Sequence, residues 1–316
     1  MRYLLALLVV VAVAALFYWR HAQRAGAAQD DGADVQALYQ AGRALPQGPL
    51  RVYHLGHSLV GRDMPAMLAQ LAGQGHDYAL QLGWGTALRE HFQGGAAING
   101  FAQENATPRY RDAHQALASG EYDAFVMTEM VRLQDAIQYK ESRLYAGKWA
   151  AEAAAGNPAG QVFLYESWHA LDDQPEWLSR LPDDLETMWK PGLLWPAARA
   201  AGRPVWLIPV GQVMARLVAE AEARGGIAEL QSREDLFARS PDGTLDPIHP
   251  NDLGVYLVAL THYAVLYGQS PVGLPHALLR ADGSPADAPS AELARRMQEV
   301  VWEVVSTNPL TGLQSP

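Results

Sequence analysis

Five short apolar runs punctuate the chain: LRVYHL at 50–55, YALQLG at 78–83, YDAFVMT at 122–128, GQVFLYE at 160–166 and RPVWLIPV at 203–210. Each is nearly continuous in hydrophobic residues rather than alternating, which predicts strands buried on both faces. Helical patterns fall between them, around 63–73, 108–118, 142–155 and 185–201, and two more follow, near 251–267 and 290–305. Strands that alternate with helices imply a parallel sheet covered on both sides, so the pattern predicts an α/β domain on a five-stranded, mainly parallel sheet. No internal repeat or second domain boundary interrupts it.

Ahead of the first strand the pattern changes. Residues 3–19, YLLALLVVVAVAALFYW, carry no charge and are framed by Arg2 on one side and Arg20, His21 and Arg24 on the other. At about 1.5 Å per residue this run is slightly short for a hydrocarbon core of roughly 30 Å, a gap that aromatic and arginine flanks can bridge. An uncleaved N-terminal transmembrane helix within residues 1–24 is expected, because the run is long and ends in aromatic and cationic residues. Cleavage of a signal peptide at Ala25-Gly26-Ala27 is the competing outcome. Either exports the chain, so the body is expected on the extracytoplasmic, periplasmic side, anchored or else secreted. Residues 25–49 are rich in Ala, Gln, Gly and Asp and close with LPQGP; they read as a linker with one short helix at ADVQALYQAG, leaving 50–316 as the folded domain.

Composition narrows the function classes. With 316 residues and 49% hydrophobic content the chain can build one sizeable core plus extensions. A formal charge of -10 argues against a nucleic-acid groove or a polybasic lipid-binding face, both of which need clustered cations. The absence of cysteine removes disulfides, thiolate metal sites and cysteine nucleophiles together. His54, His76, His114, His169, His262 and His276 show no ligand-like spacing, so neither a metal nor a cofactor is expected.

Two segments carry candidate chemistry. In HLGHSLVGRDMP at 54–65 a glycine and a serine stand just past the carboxyl end of the first strand, where sites form in open α/β sheets. Alone, Ser58 reads as a turn-capping hydroxyl, a routine helix N-cap; the distant Asp-x-x-His block is what turns it into a candidate nucleophile. A serine becomes a nucleophile when a base takes its proton and a third group orients that base. Near the other end, TLDPIHPNDLGVYLVAL at 244–260 sets Asp246 three residues before His249, in a proline-punctuated turn before an amphipathic helix. That spacing lets the carboxylate fold back onto the imidazole Nδ1 and leaves Nε2 open to a hydroxyl.

Gly56-His57-Ser58-Leu59 after the first strand, together with Asp246-Pro247-Ile248-His249-Pro250-Asn251 before the last core helix, resembles the GDSL/SGNH hydrolase superfamily over about 50–270. The resemblance implies a flavodoxin-like three-layer α/β/α sandwich that hydrolyses esters of lipids, acylated sugars or small acyl groups without a cofactor. It implies Ser58 as nucleophile, His249 as general base and Asp246 as its partner. The oxyanion hole would use the Ser58 amide and a glycine amide, Gly85 or else Gly83, from LGWGTALREHF. The family's third-block asparagine is absent, with Thr128 and Glu129 in its place. A divergent branch is similar here, with a histidine like His91, a polar pair, and a tryptophan like Trp168 in YESWHA. Thr128 is the candidate substitute donor, Glu129 a candidate for substrate hydroxyls, and Trp84 and Trp168 candidates to border the substrate. His57 is expected to support the site from behind, Asn105 to lie in a loop, and Trp189, Trp195 and Trp206 to pack in the core. The implied activity is that of a membrane-anchored serine esterase acting on O-acyl, for example O-acetyl, groups of a cell-envelope glycan. The alternatives are an O-acyltransferase beside envelope polysaccharide machinery and a non-catalytic glycan-binding protein on the same fold.

Overall fold

The computed structural model describes residues 30–173 and 177–313; the apolar run at 3–19 lies outside them. Among the described residues no helix is long and apolar enough to cross a membrane. All five predicted strands form: β1 (Arg51–His57), β2 (Asp77–Gly83), β3 (Ala124–Met127), β4 (Gln161–Glu166) and β5 (Val205–Pro209). They make one parallel sheet in the order β2-β1-β3-β4-β5. A separate antiparallel pair joins β6 (Phe237–Arg239) and β7 (Leu245–Pro250).

The helices are α1 (Asp63–Ala72), α2 (Leu88–Gln93), α3 (Phe101–Glu104), α4 (Ala113–Ser119), α5 (Leu133–Tyr139), α6 (Ser142–Gly156), α7 (Trp177–Asp184), α8 (Trp195–Ala201), α9 (Val210–Arg224), α10 (Asp252–Tyr267) and α11 (Ala291–Thr307). The continuous hydrophobicity of the strands now has its cause. Val52, Val126, Phe163 and Ile208 pack into one core with α1, α9, α10 and α11. Tyr53, Phe125, Leu164 and Leu207 face the other way, onto α4, α6 and α8. Successive side chains serve opposite cores, so beyond the first residues Arg51, Asp77 and Gln161 the positions of the five strands are buried.

Three expectations are corrected. The helix foreseen over 108–118 begins at Ala113, where Asp112 caps it by accepting from the Gln115 amide; residues 109–111 instead run beside β2, with the Leu80 amide donating to Arg109 O and the Arg111 amide to Leu80 O. The helix foreseen over 185–201 winds as a π-helix from Leu185 to Leu194 before continuing as α8. Pro191 lies inside that wider stretch and has no amide hydrogen to offer an α-helical ladder. The boundary at residue 50 moves back to at least residue 30, because the segment read as a linker is packed onto the body. Val35 is buried, Tyr39 donates its hydroxyl to Val205 O at 2.9 Å, and Asp30 and Asp34 pair with Arg199. Arg43 reaches the carbonyls of Val265 and Leu266 at the end of α10 and Gln161 Oε1 at 3.0 Å.

The core also encloses histidines. His54 on β1 and His262 on α10 are buried with ring centroids 6.1 Å apart; neither nitrogen of His54 is hydrogen-bonded, while His262 donates from Nδ1 to Val258 O. Burial pushes His54 well below its usual value, His57 and His262 to about 4 and His91 to about 3. Unfolded histidines titrate near pH 6.5. Below that pH the unfolded chain therefore takes up protons that the folded chain refuses, and stability falls with acidification until the folded values are reached. Three buried carboxyls work in the other direction: burial raises Glu129 to about 7, holds Glu166 well above the usual range and raises Asp184, so they keep protons that the unfolded chain releases above about pH 4–4.5. The histidines outnumber them. We predict that the unfolding free energy, measured by urea titration, falls from pH 6.5 to 5, and that His262→Phe reduces the proton uptake on unfolding by about one proton. An uptake unchanged by the substitution would count against a neutral, buried His262.

Candidate functional site

β1 ends at His57, and the amides of Val60 and Gly61 both donate to His57 O, at 2.9 and 3.2 Å. This turn carries Ser58 past the edge of the sheet. It is fixed further by the Leu59 amide on His57 Nδ1, 3.3 Å, and the Tyr165 hydroxyl on Leu59 O, 3.2 Å. Gly56 is required one residue before His57: a Cβ there would lie 2.7 Å from Thr128 Cγ2 and 2.8 Å from Val60 Cγ2.

Asp246 and His249 lie on β7 rather than in a free turn. Asp246 Oδ1 accepts from the amides of Ile248 and His249, both at 3.0 Å, and Oδ2 lies 2.8 Å from His249 Nδ1. Partial burial alone would raise the Asp246 carboxyl; the His249 and Ile248 amides and then the His249 ring outweigh it and hold the group below its usual value. An ionised carboxylate only accepts, so His249 Nδ1 carries the proton. Nε2 is then bare and stands 2.9 Å from Ser58 Oγ, placed to accept the hydroxyl hydrogen. Ser58, His249 and Asp246 thus form one hydrogen-bonded chain at the carboxyl end of β1.

The segment after β4 holds β7 in place. The Trp168 indole N–H donates to Ile248 O at 2.9 Å and the Leu171 amide to Pro247 O at 2.8 Å. Trp168 is only 3% exposed, so it braces the Asp246–His249 segment from behind instead of bordering a substrate. Asn251 accepts from the Gly254 amide, capping α10, and donates to Asp235 O at 2.8 Å. Sequence reasoning missed the bracing by Leu171 and Tyr165, since neither residue carries a motif signal.

Behind Ser58 lies a buried polar layer. His57 Nε2 donates to Glu129 O and His91 Nε2 to Gly56 O, both at 2.8 Å, while Gln81 bridges His91 Nδ1 and the Ala113 amide. Glu129 is fully buried, accepting from the Leu88 and Met130 amides at 3.2 and 2.8 Å. Burial raises it despite the Met130 and Leu88 amides; enclosed and bonded to both loops, it ties them together and does not face a substrate. Thr128 is likewise fully buried and its hydroxyl has no partner, which corrects the expectation that it reaches an oxyanion. Asn105 brackets β2, its side chain bonded to both the amide and the carbonyl of Leu82.

Gly83 closes β2 beside His57 and is walled in by Thr86 and Ile98. Gly85 is exposed with φ +51°. Among the described residues the amides of Ser58 and Gly85 donate to no protein acceptor. Trp84 is 44% exposed, with its indole N–H held by Glu104 Oε1 at 2.6 Å. Trp189, Trp195 and Trp206 are buried in the core. Among the described residues no group of three acidic or histidine side chains is placed to hold a metal ion.

Gly56→Ala is expected to cost about 1–3 kcal/mol by overpacking against Thr128 and Val60 and to displace the Ser58 turn. Thermal unfolding and reactivity of Ser58 measure the two effects; a variant with unchanged melting would show that the contact relaxes freely.

No protein-family model and no curated protein matches the chain. Among solved structures it is similar to the crystal structure of a DUF4886 family protein from Bacteroides uniformis, with 14% sequence identity and a TM-score of 0.49, over 84% of this chain and 100% of that one.

Proposed function

We propose that this protein is a serine ester hydrolase of the SGNH type. The observation that carries the reading is the hydrogen-bonded chain of Ser58 Oγ, His249 Nε2, His249 Nδ1 and Asp246 Oδ2, with contacts of 2.9 and 2.8 Å. The strand order supports it, being that of flavodoxin-like folds, whose sites lie at the carboxyl ends of strands near the reversal between β1 and β3. On this reading Ser58 Oγ bonds to the ester carbonyl carbon as its proton passes to His249 Nε2. The carbon–oxygen bond to the alcohol then breaks and His249 returns the proton to the leaving oxygen. Water attacks the acyl-serine, again through His249, and the acid is released.

The unbonded amides of Ser58 and Gly85 are the donors for the developing oxyanion. Thr128 is enclosed and does not join them as a third donor, and one missing donor costs about a hundredfold or more in rate. We therefore expect a slower enzyme than a three-donor hole gives. Side chains of His249 and Asp246 that are 43% and 34% exposed leave the site open to water, which favours hydrolysis over acyl transfer. Export through residues 3–19 would place the reaction outside the cytoplasm, on O-acyl groups of an envelope glycan.

The test uses the full chain with a fluorophosphonate probe and 4-nitrophenyl acetate. Wild type is expected to label and to turn over. Ser58→Ala should abolish labelling, and His249→Ala should lower turnover by about a thousandfold or more. A folded wild type that neither labels nor hydrolyses would overturn the reading.

A further inference from the structure

We propose that the exposed indole of Trp84 and the free carboxylate oxygen of Glu104 form a subsite for a neutral pyranose ring, the sugar that carries the ester. The inference rests on the ester-hydrolase reading and names the substrate class for that same site.

Every other tryptophan among the described residues is buried or packed against the core, whereas Trp84 is 44% exposed. The ring is nonetheless held firmly. A Cβ added at Gly100 would lie 2.3 Å from Trp84 Cδ2, 2.6 Å from Cε2 and 2.7 Å from Cε3. Cδ2 is a ring-fusion carbon with three ring neighbours, so it can be approached only through a face of the indole. Gly100, at φ 67°, covers one face, and only a residue without a Cβ lets the ring lie so close. Glu104 Oε1 accepts from the indole N–H at 2.6 Å, which fixes the rotation of the ring, and the Trp84 amide donates to Asn99 O at 2.8 Å. The exposure therefore falls on the other face and the outer edge, where among the described residues neither an aromatic ring nor a cation stacks. An apolar plane already fixed in this way binds without first losing rotamer freedom.

The plane stands beside the reacting groups. Gly83 pairs with His57 at the ends of β2 and β1. Paired strands lie about 4.8 Å apart, so Trp84 and Ser58 are the first residues beyond adjoining strand ends. Gly85 follows with its amide unbonded. Arg62, in the turn after Ser58, ties the two loops: its Nε donates to Glu104 O at 3.1 Å and its Nη2 to Gln103 O. Glu104 Oε2 has no protein partner and is not enclosed. A carboxylate oxygen only accepts, so a ligand that answers it must present a donor beside an apolar face. A pyranose does both, with C–H groups on its face and hydroxyls on its rim. An aromatic alcohol would fill the plane and leave Oε2 unanswered, and an anionic sugar would be repelled by it.

Five acetyl esters test this with the full chain: methyl β-D-glucopyranoside acetylated at O2, O3 or O6, (tetrahydropyran-2-yl)methyl acetate as the ring without hydroxyls, and ethyl acetate without a ring. Each kcat/KM is divided by the rate constant of the ester in hydroxide, which removes intrinsic reactivity. Wild type is expected to prefer a sugar ester to the bare ring, and the bare ring to ethyl acetate. Trp84→Ala should lower the preference of both kinds of ring ester over ethyl acetate about tenfold or more, mainly through KM, with Trp84→Phe restoring part of it. Glu104→Gln keeps an acceptor for the indole and should lower only the preference for the sugar over the bare ring, by about fivefold. Thermal unfolding separates lost recognition from lost folding, and Trp84→Phe carries the comparison should Trp84→Ala not fold. Preferences unchanged in the Trp84 variants, or absent from a wild type that hydrolyses any ester, overturn the subsite and leave the ester-hydrolase reading intact. A ring preference that depends on Trp84, with a sugar preference indifferent to Glu104→Gln, overturns the assignment to a sugar. If wild type hydrolyses neither these esters nor 4-nitrophenyl acetate, the hydrolase reading fails. Calorimetric titration of methyl β-D-glucopyranoside into wild type and Trp84→Ala then decides the subsite: binding lost in the variant supports it, and equal or absent binding overturns it.

Discussion

The 2.9 Å contact between Ser58 and His249 joins positions 191 residues apart, and the local architecture at this end of the sheet serves to hold it. Neither partner is part of the five-stranded sheet. Ser58 is the first residue beyond β1, and His249 lies on a two-stranded appendage whose own pairing is irregular. A contact between two such elements persists only if each is fixed independently, because a free side-chain pair would lose more rotamer entropy than one hydrogen bond returns. On the serine side the fixing comes from His57 O, the His57 ring and Tyr165. On the histidine side it comes from Trp168, Leu171 and Asn251. Tyr165 and Trp168 stand at the carboxyl end of β4 and just beyond it, so one strand end braces both halves of the site.

The buried polar layer under Ser58 follows from the same requirement. Where a parallel strand gives way to a buried loop, the carbonyls no longer paired in the sheet need donors. Gly56 O is answered by His91 and Glu129 O by His57, each a neutral imidazole with its Nε2 hydrogen used on a carbonyl. Withdrawal from water penalises a charge on either ring, which is the main reason both lie far below the ordinary histidine range; His57 adds to it for His91, and His249 for His57. Neutral histidine suits this position better than lysine or arginine, since it supplies a donor without bringing charge beneath Ser58.

Much of this was legible in the sequence, and the parts that were not share a physical reason. The five strands announced themselves because burial on both faces demands unbroken apolar runs. Ser58, Asp246 and His249 could be singled out because a glycine-flanked serine after a strand and an acid three residues before a histidine are local features. α9 was missed because Pro209 ends β5 and Val210 begins the helix with no capping side chain, so the apolar character runs on across the boundary. The segment before β1 looked solvated because its alanines, glycines and acids say nothing of Tyr39 reaching Val205 or Arg43 reaching the end of α10. Trp168, Thr128 and Glu129 were placed at the correct end of the sheet but facing the wrong way. Which side of a loop turns inward depends on distant partners such as Ile248, Gly56 and Leu88, and these are not encoded locally.

Charge follows a similar economy. The chain has 34 acidic and 24 basic residues, so cations are the scarcer resource and most are committed to particular tasks. Glu220 illustrates this: it is nearly buried and meets Arg296, Arg216 and Arg224, with Arg296 joining α9 to α11. The Arg296 hydrogen bond leads in lowering its pKa, as it must for a carboxylate withdrawn from water. Exposed single pairs elsewhere contribute little, about 0–1 kcal/mol each. In an acidic protein a surface arginine has abundant carboxylates to approach, and the flexible side chain normally finds one. Among the described residues Arg132 is the exception: it follows β3 with φ 62°, and its exposed side chain makes no such pair.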